Sequence, residues 1–142
     1  VRGENIKLVD GGQQKRAFTY IDDGISALMK IIENKEGKAN SQIYNIGNPA
    51  NNYSVRELAT MMLDLARHYP EYSENLAKVN IVETTSGEYY GKGYQDVQNR
   101  VPKITNTQQD LEWTPVVTMA DALKGIFDYY RSQVSNAKDL VN

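Results

Sequence analysis

The apolar positions of this chain change period several times along its length. Ile6 to Val9 is a short strand-like run ended by Asp10-Gly11-Gly12, where glycine takes a positive φ at low cost, so a hairpin or sharp loop should follow. From Ile21 the period becomes helical, with apolar residues at Ile21, Ile25, Leu28 and Ile32. Asp22 and Asp23 place negative charge at the favourable end of that helix, and the stripe is expected to pack against a sheet. Gln42 to Ile46 is a β-compatible run stopped by Gly47-Asn48-Pro49, and after a helix it suits a strand of an α/β sheet.

Ser54 opens a second helix with a capping box, its side chain accepting from the Glu57 amide while Glu57 reaches back to the Ser54 amide. Val55, Leu58, Ala59, Met62, Leu63 and Ala66 form its apolar face, and Pro70 bars continuation past Tyr69. Val79 to Val82 reads as another strand. Thr118 and Asp121 start a last helix whose buried face is Ala122, Leu123, Ile126, Phe127 and Tyr130, and a polar tail from Ser132 to Asn142 should fray. The expected class is α/β, with residues 1–142 as one segment, since no repeat, low-complexity block or long linker divides the chain.

Composition narrows the chemistry. The chain has 142 residues, and its 40% hydrophobic content is enough for a core. A net charge of −2 argues against nonspecific nucleic-acid binding, which draws on a broad cationic surface. The sequence contains no cysteine, which excludes disulfides and thiolate metal sites, and the single His68 sits near a helix C-terminus without ligand partners, so no metal site is expected. No apolar run approaches the roughly 20 residues that span a bilayer, and there is no signal-peptide core. A cytoplasmic location without membrane association is expected by default. The chain lacks an initiator Met and reaches a strand almost at once, which reads as a fragment of something longer.

Two segments have little capacity to form core. Tyr90 to Arg100 (YGKGYQDVQNR) places hydrogen-bonding and cationic groups on a backbone opened by two glycines, and Lys7 to Arg16 (KLVDGGQQKR) joins a glycine turn to cations and amides. Together they suggest a pocket for a polyanion. Asp22-Asp23 is not a catalytic pair, because adjacent helical residues point about 100° apart. Trp113, ahead of Pro115, reads as a packing anchor, and the tyrosines read as pocket-lining or core-capping residues.

QKRAFTYIDDGISAL (Gln14 to Leu28), YNIGNP (Tyr44 to Pro49), SVRELA (Ser54 to Ala59) and the ending that reaches Trp113-Thr114-Pro115 resemble, in order, the substrate-binding region of extended short-chain dehydrogenase/reductases acting on nucleotide sugars. YGKGYQDVQNRVPKI (Tyr90 to Ile104) narrows the resemblance to UDP-glucuronate decarboxylases of lipid A modification and polymyxin resistance. It implies the C-terminal substrate-binding portion of such a fold, with the Rossmann half largely missing and NAD carried by that half. Neither the family's GxxGxxG cofactor turn nor its Tyr-x-x-x-Lys pair occurs in the sequence, so no residue here is expected to bind the cofactor and the segment alone should be inactive.

The resemblance also implies site roles. Lys7, Leu8, Val9, Asp10, Gly11, Gly12, Gln13, Gln14, Lys15 and Arg16 match a stretch that contacts UDP-glucuronate, with the cations offsetting diphosphate charge and the glycines exposing amides. Tyr94 matches a position touching the nucleotide sugar. Arg100 matches the arginine assigned as proton donor in decarboxylation, although a guanidinium suits orientation and charge stabilisation better. The chain departs from the family's pattern at Ala17 and Tyr20, near the pocket, and at Gln98, Asn99 and Val101, around the key arginine. Expected partners are UDP-glucuronate and the missing Rossmann half, with self-association through exposed sheet edges. Two alternatives stand beside this reading: another nucleotide-sugar epimerase or dehydratase, and a non-catalytic binding or assembly module.

Overall fold

The computed structural model describes residues 1–91 and 96–139, with side chains through 135. In chain order the elements are β1 (Ile6–Val9), β2 (Lys15–Ala17), α1 (Ile21–Glu33), β3 (Asn52–Ser54), α2 (Val55–Ala66), α3 (Ser73–Leu76), β4 (Ile81–Thr84), α4 (Ser86–Tyr89), β5 (Asn99–Arg100), α5 (Thr105–Leu111) and α6 (Met119–Tyr130). The class is mixed α/β, as expected. Tertiary contacts divide the chain into two compact units, one of residues 1–14, 54–98 and 123–142, the other of residues 15–53 and 99–122. Each unit is assembled from separated stretches, which is why no linker marks them in the sequence.

In the first unit β1 pairs in parallel with β4, Ile6 opposite Ile81 through Val9 opposite Thr84. No hairpin follows β1. Its turn, Asp10–Gly12, is a short 3₁₀ segment, and the chain leaves it for a different sheet. The capping box of α2 forms as the sequence prescribes: the Glu57 amide donates to Ser54 Oγ at 3.1 Å and the Ser54 amide to Glu57 Oε2 at 2.6 Å. Ala59 and Ala66 are buried on the inner side of α2, and the helix ends four residues before Pro70, which starts its own 3₁₀ turn. Tyr69, Tyr72 and Phe127 meet in an aromatic cluster with centroids 5.1 to 5.7 Å apart, and the Tyr72 hydroxyl donates to the Phe127 carbonyl at 2.7 Å. This burial pushes the Tyr72 hydroxyl above its ordinary pKa. On α6, Leu123 is buried, while Ile126 and Tyr130, expected inside, are exposed. The chain continues as a 3₁₀ helix over Arg131–Asp139, where the sequence suggests a frayed tail.

The second unit holds the sheet β3-β2-β5, with β2 and β5 parallel, and a core of Ala27, Ile104, Leu111 and Trp113 backed by Ile31, Ala39, Tyr44 and Ile46. Trp113 is the anchor its position suggests, with its indole N–H donating to Ser26 Oγ at 2.8 Å. Two expectations fail here. Gln42 to Ile46 is extended but joins no ladder among the described residues; side chains hold it instead, Asn106 Nδ2 donating to the Ile43 carbonyl and Thr107 Oγ1 to that of Asn45. The stripe Ile21, Ile25, Leu28 and Ile32 lies outside, and α1 turns Asp23, Ala27 and Ile31 inward. The small Ala27 lets the helix come close to the core, and the buried Asp23 carboxylate accepts the Val116 and Val117 amides at 3.1 and 3.0 Å. Neighbouring polar brackets do similar work, the Met119 amide donating to Asn51 Oδ1 and Asn51 Nδ2 to the Val117 carbonyl, both at 3.0 Å.

Candidate functional site

The turn after β1 is built around the start of α2. Gly11 and Gly12 have φ of 72° and 67°, a region closed to most residues. A Cβ on Gly12 would come within 3.0 Å of the Arg56 amide nitrogen and 3.2 Å of Leu8 Cδ2, so this buried glycine answers a close approach of protein backbone. Arg56 Nε donates to the Gly11 carbonyl at 2.8 Å, and its guanidinium also pairs with Glu83 on β4. Asp10 extends the turn to α4, its carboxylate accepting the Ser86 amide at 2.8 Å. A second capping box fixes that helix start, with the Glu88 amide donating to Thr85 Oγ1 and the Thr85 amide to Glu88 Oε2. The Thr85 amide and hydroxyl and the Thr84 hydroxyl hold the Glu88 carboxyl below its usual range.

These constraints shape a polar cavity of about 340 Å³ in the first unit, lined by Val9, Asp10, Gln13, Gln14, Tyr90, Asp96 and Gln98. The two segments singled out in the sequence therefore meet. Among the described residues the lining holds carboxylates, amides and a phenol, a set matched to sugar or ribose hydroxyls rather than to phosphate. Leu8 is fully buried and offers a ligand no surface, and Lys7 is exposed on β1 outside that lining. Tyr94 lies outside the described residues.

The cations stand in the second unit. In the parallel pair of β2 and β5, Lys15 is opposite Asn99 and Arg16 opposite Arg100. Register partners of a parallel pair point to the same face, about 4.8 Å apart, so the two arginines are side by side. Arg16 also donates to the Lys15 carbonyl at 2.7 Å. On the neighbouring strand, Asn52 Nδ2 donates to Asn99 Oδ1 at 3.2 Å, while the buried Asn52 Oδ1 has no partner among the described residues. Arg56 and Asn52 were not singled out in the sequence as site or scaffold residues, and Asn99 stood there only as a departure beside Arg100. Arg56 stood in view as the second residue of a capped helix, but nothing local shows that it reaches back to Gly11.

Residues 1–47 match the NAD dependent epimerase/dehydratase family. Over 99% of its length the chain is similar, at 58% identity and a TM-score of 0.85, to the PbgP3 protein of Burkholderia pseudomallei, of which it spans 38%. It also superposes on dTDP-glucose 4,6-dehydratase of Bacillus anthracis in complex with NAD, with a TM-score of 0.63, 17% identity, 92% of this chain and 35% of that one. With the UDP-glucuronic acid 4-epimerase of Bacillus cereus in complex with NAD, the TM-score is 0.60 and the identity 23%, over 91% of this chain and 33% of that one. No helix among the described residues is long and apolar enough to cross a membrane. The chain thus has the mixed α/β fold of one part of these epimerase and dehydratase structures, spanning about a third of the length of the proteins it matches.

Proposed function

We propose that this chain is the substrate-binding part of an NAD-dependent UDP-glucuronate oxidative decarboxylase, of the kind found in the bifunctional polymyxin-resistance protein ArnA, which makes UDP-4-keto-arabinose for lipid A modification. The observation that carries the reading is the pairing of Arg16 with Arg100 in parallel register. Like charges directly opposite on adjacent strands cost stability, and an anion between them offsets that cost. A uronate carboxylate or a diphosphate has the required charge. The polar cavity lined by Asp10, Gln13 and Gln98 suits the hydroxyls of the same class of ligand.

The sequence contains neither a glycine-rich cofactor turn nor a Tyr-x-x-x-Lys pair, so no residue here is assigned to NAD or to oxidation at the sugar C4. The contribution of this chain begins with the resulting β-keto acid. Its C5–C6 bond breaks, carbon dioxide leaves, and the electron pair passes into the C4 carbonyl as an enolate that is then protonated at C5. Arg100 and Arg16 would hold the carboxylate before it departs and offset the charge that moves to the enolate oxygen. A guanidinium does not deliver that proton at neutral pH, so water or a neighbouring acid supplies it.

The test is Arg100→Ala in the longer protein that contains this chain. UDP affinity should persist while carbon dioxide release falls by a factor on the order of 10² to 10³, as when an oxyanion-stabilising donor is lost. Near-normal turnover would remove Arg100 from the mechanism. Product analysis separates the other enzyme reading, because an epimerase or dehydratase leaves the sugar carbon count unchanged.

A further inference from the structure

Resting on the reading of Arg100 as the residue that meets the substrate carboxylate, we infer that Asn45, Gly47 and Asn52 are positioning residues for it: within one short stretch they form a cradle that fixes the backbone on both sides of this arginine. Strand β5 supplies little hold of its own. It is two residues long, lies at the edge of its sheet, and both of its residues are exposed. Backbone with so few buried contacts opens readily, whereas a group that must meet a developing charge needs a fixed place.

The hold comes from residues 45–52. Ahead of the arginine, Asn52 Nδ2 donates to Asn99 Oδ1 at 3.2 Å, from one outer strand to the other across β2. Successive side chains of a strand point to opposite faces, so this bond fastens Asn99 from one face and leaves Arg100 free on the other. Behind the arginine, Pro102 seats against the buried Gly47, where a Cβ would lie 2.5 Å from Pro102 Cγ. The proline ring also restricts Val101 to extended backbone. One residue further on, Asn45 Nδ2 donates to the Lys103 carbonyl at 3.1 Å. These contacts bracket Arg100 and Val101, whose own side chains are exposed.

The cradle is itself anchored. The buried Asn48 and Asn51 both donate through Nδ2 to the Val117 carbonyl, at 3.1 and 3.0 Å, and the Asn48 amide donates to Thr19 Oγ1 at 3.2 Å. Asn52 is not the best residue for stability at its position. Its buried Oδ1 has no partner among the described residues, and an unmet buried acceptor is costly. Replacing it by alanine removes that cost together with the bond to Asn99, so a positioning role separates from a structural one.

The test uses the longer protein that contains this chain, with Asn52→Ala and, on the other side of the arginine, Asn45→Ala. Hydrogen–deuterium exchange of residues 97–103, read by peptide mass, should become about fivefold faster in each variant, the weight of one neutral hydrogen bond, while α5 in the core of the same unit is unchanged. The kcat for carbon dioxide release should fall by roughly ten- to a hundredfold, since a misplacement on the order of 1 Å costs up to about 10², with UDP affinity kept. In an Arg100→Ala background neither substitution should lower release further. Unchanged exchange over 97–103 overturns the cradle. Faster exchange with release intact, or a further loss in the Arg100→Ala background, overturns the positioning role. Failure of the underlying reading shows separately, as near-normal release in Arg100→Ala alone, and takes the positioning role with it.

Discussion

Replacing Asp23 tests the least expected contact in the second unit. From the sequence this aspartate is a charge at a helix start; in the fold its two oxygens receive the Val116 and Val117 amides at 3.1 and 3.0 Å in a buried position. A hydrogen bond to a charged group contributes about 1.5–3 kcal/mol, and orphaning a buried donor costs about 1–3 kcal/mol. With some relaxation, Asp23→Ala should lose about 3 kcal/mol and Asp23→Asn, which keeps one acceptor, about half of that. Asp22→Ala is the control: it removes a charge from the same helix turn but no bracket, and costs at most about 1 kcal/mol. Trp113, the sole tryptophan, is buried and bonded to Ser26 on the same helix, so its fluorescence in a urea titration reports this unit directly. At a urea slope of roughly 2 kcal/mol/M the Asp23→Ala midpoint falls by about 1.5 M. A shift no larger than that of Asp22→Ala would refute the bracket and leave only the helix dipole.

Four further substitutions probe the scaffold. Gly12→Ala combines a positive φ with a Cβ 3.0 Å from backbone and should destabilise by roughly 2–4 kcal/mol, whereas Gly87→Ala, with nothing within 4 Å, should be neutral or stabilising in thermal melts. Ser54→Ala removes the cap of α2 and should cost about 1 kcal/mol by denaturant titration; an unchanged midpoint would mean that Glu57 alone holds the helix start. Hydrogen bonds from Lys124 and then Tyr69 hold the Asp128 carboxyl below its ordinary value of 3.8. A folded-state pKa that is lowered means a contribution present above the unfolded value and lost as pH falls through the folded one. Lys124→Met should therefore raise the Asp128 pKa in an NMR titration, and no movement would break this assignment.

The two segments that line the polar cavity were legible because their signals are local. The glycine turn and the loop from Tyr90 announced themselves by residue type, and the cavity joins Asp10, Gln13 and Gln14 of one to Tyr90, Asp96 and Gln98 of the other. Its polarity was not legible. The sequence counted Lys15, Arg16 and Arg100 into one polyanion pocket, but the described lining of the cavity is carboxylate and amide, and the arginines are neighbours on a different sheet. Gly12 carries a similar lesson, since its freedom serves the start of α2, forty-odd positions along the chain.

By itself the sequence determined what a few consecutive residues settle among themselves: where β1 begins, the capping box at Ser54, the helical period from Ile21, and the anchoring weight of Trp113. These depend on hydrogen bonds and side-chain spacings within one or two turns. Only the tertiary structure decided which strands pair, that Arg16 and Arg100 share a face, that Asp23 is a buried bracket, and that the stripe of α1 faces away from the core beside it. Those outcomes depend on partners far along the chain or outside it. A periodic stripe states that a face is apolar; what covers that face is a property of whatever else folds against it.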